Sequence, residues 1–151
     1  MNYGEKLFQL RDRLGLTNIE MAKLLNISDS LYSRYEKEKQ TIPIKHLISL
    51  CNYFNVSLDY IFNFTKEKNY TNNNDTINYQ LQHLRLKEIR KEHKLTQERL
   101  ASLIKVAPST ISDYESQNKP IATPFLYTIC KKYNISADYL LGKTNNPKYL
   151  K

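Results

Sequence analysis

The stretch LTNIEMAKLLNISDSLYSRYE, at residues 16–36, recurs 79 residues later as LTQERLASLIKVAPSTISDYE, at residues 95–115. At this offset the two halves of the chain align without a gap, beginning at Leu7 and ending at Phe62 of the first copy. Apolar positions, capping hydroxyls and charges recur together. A repeat of this length predicts one small globular module built twice.

Each copy has the apolar spacing of short amphipathic helices. In the first copy, Thr17 and Glu20 form a capping box that begins a second helix, and Ser28 is placed to cap a third after a three-residue turn. Pro43 is predicted to open a fourth helix and Ser57 to cap a short fifth.

The second copy repeats this pattern, with helices predicted near 80–93, 96–104, 108–117, 122–133 and 136–141. No strand-like alternation competes with the helical period. The predicted fold class is therefore all-α, with two tandem five-helix modules.

The composition suggests the boundaries of the two modules. The stretch TKEKNYTNNNDTIN, at 65–78, is polar and Asn-rich, which is typical of a linker. We expect a first module at 1–64, a second at 79–142 and a polar tail at 143–151.

Two predictions concern the core. Met21, Leu24 and Leu25 of the second helix are expected to point inward. Cys51 and Cys130 occupy equivalent positions on an apolar stripe, so we interpret them as small core residues. Two cysteines are too few for a disulfide framework and lack metal-ligand spacing.

The chain is basic, with 23 Lys and Arg against 15 Asp and Glu, for a net charge of +8. Residues 1–70 contribute +2 and residues 71–151 contribute +6. Such a charge favours nucleic acid or an anionic membrane surface as a partner. The basic helix at 84–91 is either a solvated face or a phosphate-contacting one.

Several function classes lack their sequence signatures. The N-terminus is charged where a signal peptide is apolar, and no apolar run is long enough for a membrane span, so we expect a cytoplasmic protein without a membrane partner. Three glycines form no phosphate-cradling loop, and three scattered histidines form no ligand set. We therefore predict no enzyme activity, no cofactor and no metal.

The paired segments at 16–36 and 95–115, each followed by a Pro-containing loop and by NVSLDY or NISADY, resemble the Cro and lambda-repressor-like (XRE-type) helix-turn-helix family. The resemblance covers roughly three quarters of the chain. It implies two lambda-repressor-like helix-turn-helix domains that bind double-stranded DNA, with the third helix of a module in the major groove.

The same resemblance implies roles for individual residues. Asn18 and Gln97, just after the cap of the second helix, would contact phosphate. The base-facing residues would be Asp29, Ser30, Leu31 and Arg34 in the first copy, and Pro108, Ser109, Thr110 and Asp113 in the second. Residues after the third helix would lie near the DNA backbone: Lys37, Lys39 and Gln40, then Gln117, Asn118 and Lys119. Ion pairs are implied between Arg11 and Glu36 and between Arg90 and Glu115.

The two copies diverge where they would read DNA. Arg34 is the best base reader in the first copy, and Ser109 and Thr110 are the candidates in the second. Asp29 and Asp113 would repel phosphates unless they accept from a cytosine amino group. These departures favour the interpretation that one copy no longer reads DNA. The second copy is slightly favoured as the reader because it keeps Gln97 and has the larger positive excess, whereas the first keeps Arg34 and cleaner caps.

Two functions are consistent with these features. The first is sequence-specific regulation of transcription, expected to be repression, by one chain acting as a pseudo-dimer or by a homodimer. The second is a protein-binding helix-turn-helix module, antitoxin-like or partner-sequestering, with weak DNA affinity. Salt-dependent binding to random duplex DNA separates the two.

Overall fold

The computed structural model describes residues 1–116 and 119–148, which form two compact units. Module 1 is Met1–Thr71, and module 2 begins at Asn72. Module 1 contains α1 (Tyr3–Arg13), α2 (Asn18–Leu25), α3 (Asp29–Glu36), α4 (Ile44–Phe54) and α5 (Leu58–Ile61). Module 2 contains α6 (Tyr79–Glu92), α7 (Gln97–Leu103), α8 (Pro108–Ser116), α9 (Thr123–Tyr133) and α10 (Ala137–Leu140). The described residues contain no strand, which confirms the all-α fold class with two tandem five-helix modules.

Local chemistry sets the turn between α2 and α3. Thr17 Oγ1 accepts a hydrogen bond from the Glu20 amide at 3.2 Å, and Ser28 Oγ accepts one from the Leu31 amide at 3.2 Å. Between these caps, Asn26 takes the left-handed conformation with φ of 55°, which ends α2 and redirects the chain. Both predicted caps are confirmed.

Every helix contributes to the core of its module. The fully buried side chains of module 1 include one from each helix: Leu7, Met21, Tyr32, Leu47 and Leu58. Their counterparts in module 2 are also buried: Leu86, Leu100, Ile111, Leu126 and Ala137. Burying each large apolar side chain stabilises the fold by roughly 1.5–3 kcal/mol. The same positions of the repeat therefore form the centre of both cores.

The core predictions are confirmed with one exception. Cys51 and Cys130 are both buried, as expected for small core residues. Met21 and Leu25 point inward, but Leu24 is 42% exposed, so its predicted inward position is wrong. Met21 and Leu25 are one helical turn apart and complete the inward face of α2, whereas Leu24 lies about 100° around the helix from Leu25.

The repeat continues beyond the segment that sequence comparison aligned. After α5, the Ser57 amide donates to the Lys68 carbonyl at 2.6 Å. After α10, the Ser136 amide donates to the Pro147 carbonyl at 2.9 Å, at the same offset of 79 residues. We call the two returning segments strap 1 (65–70) and strap 2 (144–148). Each closes its own module by covering the start of the last helix.

The polar stretch at 65–78 is divided between the modules. Tyr70 Oη donates to Asp59 Oδ2 at 2.6 Å, which fastens strap 1 to the buried carboxylate of α5. On the other side of the division, the Asn74 amide donates to the Lys143 carbonyl at 2.8 Å. The polar groups of this stretch thus satisfy backbone and buried groups of their own module.

Two cationic side chains of module 2, Arg85 and Lys143, are buried, although their polar sequence surroundings suggest that they are solvated. Arg85 is only 8% exposed and donates to the carbonyls of Tyr139, at 2.5 Å, and Thr144, at 2.8 Å. Neither expectation for the basic helix at 84–91 holds for Arg85, because strap 2 and the end of α10 supply its acceptors. Lys143 is 1% exposed, and its Nζ lies 3.5 Å from Asp138 Oδ1.

Among the helices that the structure describes, none has the length and apolarity needed to cross a bilayer.

Candidate nucleic-acid interface

Helix α3 presents a continuous outer face in module 1. Asp29, Ser30 and Arg34 are exposed, and Leu31 is half-buried beside them. The opposite face is fixed in the core by Tyr32 and Tyr35, which are 0% and 4% exposed. This division leaves the outer side chains of α3 available to an external partner while the helix itself cannot rotate.

The chain turns sharply after α3. Glu38 adopts a left-handed φ of 55°, and the amides of Lys39 and Gln40 both donate to the Arg34 carbonyl, at 2.9 and 3.3 Å. Lys37 and Lys39 are both exposed on this turn. Two cations therefore flank the C-terminal end of α3, where a DNA backbone would pass if the helix entered a groove.

Helix α8 presents the equivalent face in module 2. Pro108 and Ser109 are exposed, Thr110 and Asp113 are half-buried, and Lys119 is exposed after the helix. Pro108 is the first residue of α8, where its missing N–H leaves no intrahelical bond unmade. Asn118 and Gln117, predicted to lie near the backbone, fall outside the described residues. The face of α8 that is described holds no arginine.

The structure contains both implied ion pairs, which connect α1 to the end of α3 in module 1 and α6 to the end of α8 in module 2. Arg11 Nε lies 2.8 Å from Glu36 Oε2, and Arg90 Nε lies 2.7 Å from Glu115 Oε2. Arg11 Nη1 also donates to the Leu16 carbonyl at 3.1 Å. One guanidinium thus connects α1, the segment just before α2 and the end of α3.

The hydrogen bonds and the negative charges of the two glutamates stabilise the ionised arginines and outweigh the opposing effect of burial. The hydrogen bond to Glu36 raises the pKa of Arg11, and the hydrogen bond to Glu115 raises the pKa of Arg90. Both guanidinium groups are therefore charged at neutral pH. Burial, reinforced by the nearby charge of Glu36, also raises the pKa of Tyr32.

Asn18 and Gln97 begin α2 and α7 beside these pairs. Asn18 is half-buried and lines an open depression of module 1 together with Arg11, Glu36 and Lys37. Its Oδ1 atom has no hydrogen-bond partner among the described residues. In module 2, Gln97 Nε2 donates to Glu115 Oε1 at 3.4 Å. The Asn18 amide therefore lies where α1 meets the end of α3. The Gln97 amide lies at the end of α8, beside the Arg90–Glu115 pair.

Within the described residues, no group of three His, Cys, Asp or Glu side chains is close enough to hold a metal ion. The sequence had indicated the outer faces and the ion pairs. It had not indicated the side-chain bond between Arg34 and Gln40, at 3.2 Å. The only available signal was that both residues flank the predicted end of the third helix.

A short helix fixed on one face, exposed on the other and joined to a preceding helix by a three-residue turn defines the helix-turn-helix class of DNA-binding proteins. Family models agree with this in both modules. A model described as "Helix-turn-helix" matches residues 7–61, and one described as "Helix-turn-helix domain" matches residues 84–146. The chain belongs to the XRE-type, lambda-repressor-like helix-turn-helix family of transcriptional regulators, which confirms the family indicated by the sequence.

Several curated proteins are similar to parts of the chain. The HTH-type transcriptional regulator ImmR of Bacillus subtilis is 35% identical over 88 residues, covering 56% of this chain and 69% of that protein. The uncharacterized HTH-type transcriptional regulator YobD of the same organism is 41% identical over 63 residues, covering 42% of this chain and 56% of that protein. Antitoxin PezA of Streptococcus pneumoniae is 31% identical over 58 residues, covering 38% of this chain and 37% of that protein.

The chain therefore spans about half the length of YobD, two thirds of ImmR and just over a third of PezA. No solved structure matches the chain.

Proposed function

We propose that this protein binds double-stranded DNA sequence-specifically and represses transcription, with α3, α8 or both in the major groove. The observation that carries the proposal is the outer face of α3, which is exposed and flanked by Lys37 and Lys39 while the Arg11–Glu36 pair fixes the helix behind it. A rigid helix with a free polar face and flanking cations suits a groove lined by phosphates.

Each predicted contact has a proposed task. Asn18, Lys37 and Lys39 hold phosphates around α3, and Gln97, Asn118 and Lys119 do so around α8. The base-facing residues of α3 are Asp29, Ser30, Leu31 and Arg34, and those of α8 are Pro108, Ser109, Thr110 and Asp113. Repression follows from occupancy alone, because a protein seated on a promoter excludes other proteins from it. Neither DNA binding nor repression by occupancy requires a cofactor or a chemical step.

Two arrangements on DNA fit a chain with two recognition helices. One chain can act as a pseudo-dimer that reads an asymmetric site, or two chains can form a homodimer that reads a palindrome. In either case the half-sites lie about one DNA turn, ~34 Å, or a multiple of it apart. The symmetry of the selected site distinguishes the two.

A salt titration tests DNA binding directly. The full chain is titrated onto random duplex DNA at about 50 mM and about 200 mM salt, and we expect affinity to fall steeply because released counterions drive binding. Lys37→Gln and Lys39→Gln should each reduce the salt slope by roughly 0.9. Lys66→Gln, an exposed lysine of strap 1, is the matched control and should leave the slope unchanged. Absence of binding at the lower salt concentration would refute the proposal.

The second candidate is a protein-binding module with weak DNA affinity. The observation that favours it is the similarity to a protein named as an antitoxin. Under this alternative, the outer faces contact a partner protein, and the lysines at 37 and 39 contribute little to any DNA affinity. The same titration separates the candidates, since this one predicts a shallow salt slope that the two substitutions do not change.

A further inference from the structure

Arg34 and Gln40 form an exposed, hydrogen-bonded pair at the end of the recognition helix of module 1. Arg34 Nε donates to Gln40 Oε1 at 3.2 Å. Because this bond uses the guanidinium N–H nearest the aliphatic stem, it leaves the two terminal amino groups, Nη1 and Nη2, for a second partner. An arginine held in this way presents its planar fork in one orientation.

The backbone holds Gln40 in reach of Arg34 independently of the side-chain bond. The left-handed turn at Glu38 brings the chain back, and the Gln40 amide donates to the Arg34 carbonyl at 3.3 Å. Two residues later, Ile42 is fully buried, and its amide donates to Tyr3 Oη at 3.3 Å. Gln40 therefore lies between two anchored points and cannot drift away from the end of α3.

Module 2 has a different pair at these positions. The counterparts of Arg34 and Gln40, 79 residues later, are Asp113 and Lys119. Neither can form a bidentate donor fork, since an aspartate only accepts and a lysine ammonium is a point charge. Any preference that depends on an oriented guanidinium at this position is therefore a property of module 1.

We infer that Gln40 is a positioning residue that orients Arg34 to read a guanine in the major groove, which makes the pair a determinant of sequence specificity in module 1. The inference rests on the proposed function. Guanine presents two acceptors, O6 and N7, that match a guanidinium fork, and such a bidentate contact discriminates by roughly ten- to hundredfold against other bases. Holding a flexible side chain in place before binding contributes roughly two- to tenfold of that preference.

The test begins with the full chain and a random pool of duplexes, from which bound sequences are selected. Arg34→Ala then identifies the base pair that Arg34 reads, as the guanine whose selection is lost. Affinities of all variants are measured on the selected duplex, on the same duplex with that guanine changed to adenine, and on random duplex. The measured quantity is the guanine preference, meaning the ratio of affinities for the first two.

Three variants separate positioning from general stabilisation. Gln40→Met keeps the size of the side chain but removes the acceptor, and we expect it to lose roughly two- to tenfold of the guanine preference. Any contact of Gln40 with the DNA backbone affects both duplexes equally and cancels from this ratio. Gln40→Glu keeps the acceptor and should keep the preference, although its added negative charge lowers affinity for every duplex. Ser49→Ala removes another exposed side-chain hydrogen bond, to the Lys45 carbonyl, and should change neither quantity.

The outcomes distinguish this inference from the proposed function. If the chain selects a guanine that depends on Arg34 but Gln40→Met leaves the preference intact, the positioning role is wrong and DNA binding stands. If Arg34→Ala lowers affinity equally for every duplex, Arg34 contacts phosphate and the inference is overturned. If no duplex is bound in a salt-dependent manner, the proposed function fails and the inference fails with it.

Discussion

Modules 1 and 2 share a fold but use different groups around it. Behind the recognition helix, module 1 buries Tyr32 where module 2 buries Ile111. After the last helix, Lys143 of module 2 is buried against Asp138, while its counterpart in module 1 is the half-buried Phe64. The difference shows that the five-helix arrangement depends on caps and apolar positions common to both modules. The remaining positions are free to differ in charge and hydrogen bonding.

The largest expected effect on stability comes from removing the arginine of either ion pair. Glu115 is 4% exposed and Glu36 is 9% exposed, measured on their side chains. Arg90→Met leaves the more buried carboxylate with only the 3.4 Å hydrogen bond from Gln97 and no neutralising charge. We therefore expect module 2 to lose about 3–5 kcal/mol of stability and Arg11→Met to cost module 1 less. Amide hydrogen exchange on the full chain, read separately in α8 and α3, measures both losses.

The control for the ion pairs is Arg99→Met. Arg99 is an exposed arginine of α7, and its removal should change stability by no more than about 0.5 kcal/mol. A loss at Arg90 as small as this control would show that the pair contributes little. A larger loss at Arg11 than at Arg90 would reverse the proposed ranking by burial.

Alkaline pH should destabilise module 1 before module 2. Burial raises the pKa of both Tyr3 and Tyr32, whereas their counterparts in module 2 are Gln82 and Ile111, which do not ionise. A raised folded pKa means that the stabilisation is complete below the unfolded pKa, near 10, and is lost as the pH rises further. At pH 11 each tyrosine destabilises module 1 by up to about 1.4 kcal/mol.

Methyl NMR signals from the two cores, followed from pH 9 to pH 11, distinguish the modules. Tyr133 of module 2 also has a pKa raised by burial, but it is near the surface and adds little. Tyr32→Phe should remove up to half of the alkaline sensitivity of module 1. Simultaneous loss of both sets of signals would contradict this explanation.

The residues that end α2 and follow α7 predict a smaller effect, in which a substitution stabilises one module rather than destabilising it. Lys105 has a φ of 59° and Asn26 a φ of 55°, but only asparagine tolerates this conformation readily. We expect Lys105→Gly to stabilise module 2 by about 0.5–1 kcal/mol, after allowing for the greater freedom of glycine in the unfolded chain. Asn26→Gly should have almost no effect on module 1. Hydrogen exchange of α7 and α2 measures the two changes in stability. If Lys105→Gly and Asn26→Gly have equal effects, the left-handed conformation at Lys105 is not strained.

The smallest expected effect concerns DNA affinity. Asp113 lies on the outer face of α8, where it would repel phosphates, so Asp113→Asn should raise affinity for random duplex by roughly two- to threefold. Glu67→Gln makes the same charge change on strap 1, away from that face, and should alter affinity less. A fall in affinity with Asp113→Asn would indicate that the carboxylate accepts a hydrogen bond from the DNA.

Predictions from sequence were most accurate where the deciding interactions are local. The Thr17 and Ser28 caps each bond to an amide three residues ahead, so sequence spacing alone reveals them. Leu24 was assigned wrongly because an apolar residue at the edge of a short helix satisfies the spacing whether or not another helix covers it. The ion pairs join residues 25 positions apart and were expected only from the family resemblance.

The sequence by itself determined that the chain is all-α, that it contains one module twice, and where α3 and α8 begin. It could do so because helical periodicity, caps and a repeat are properties of neighbouring residues. Only the tertiary structure decided which polar groups are withdrawn from water. Arg85 and Lys143 are buried because strap 2 and α10 supply their acceptors, and Arg34 meets Gln40 because the turn at Glu38 brings the chain back. The repeat itself therefore extends through two straps that only the folded modules reveal.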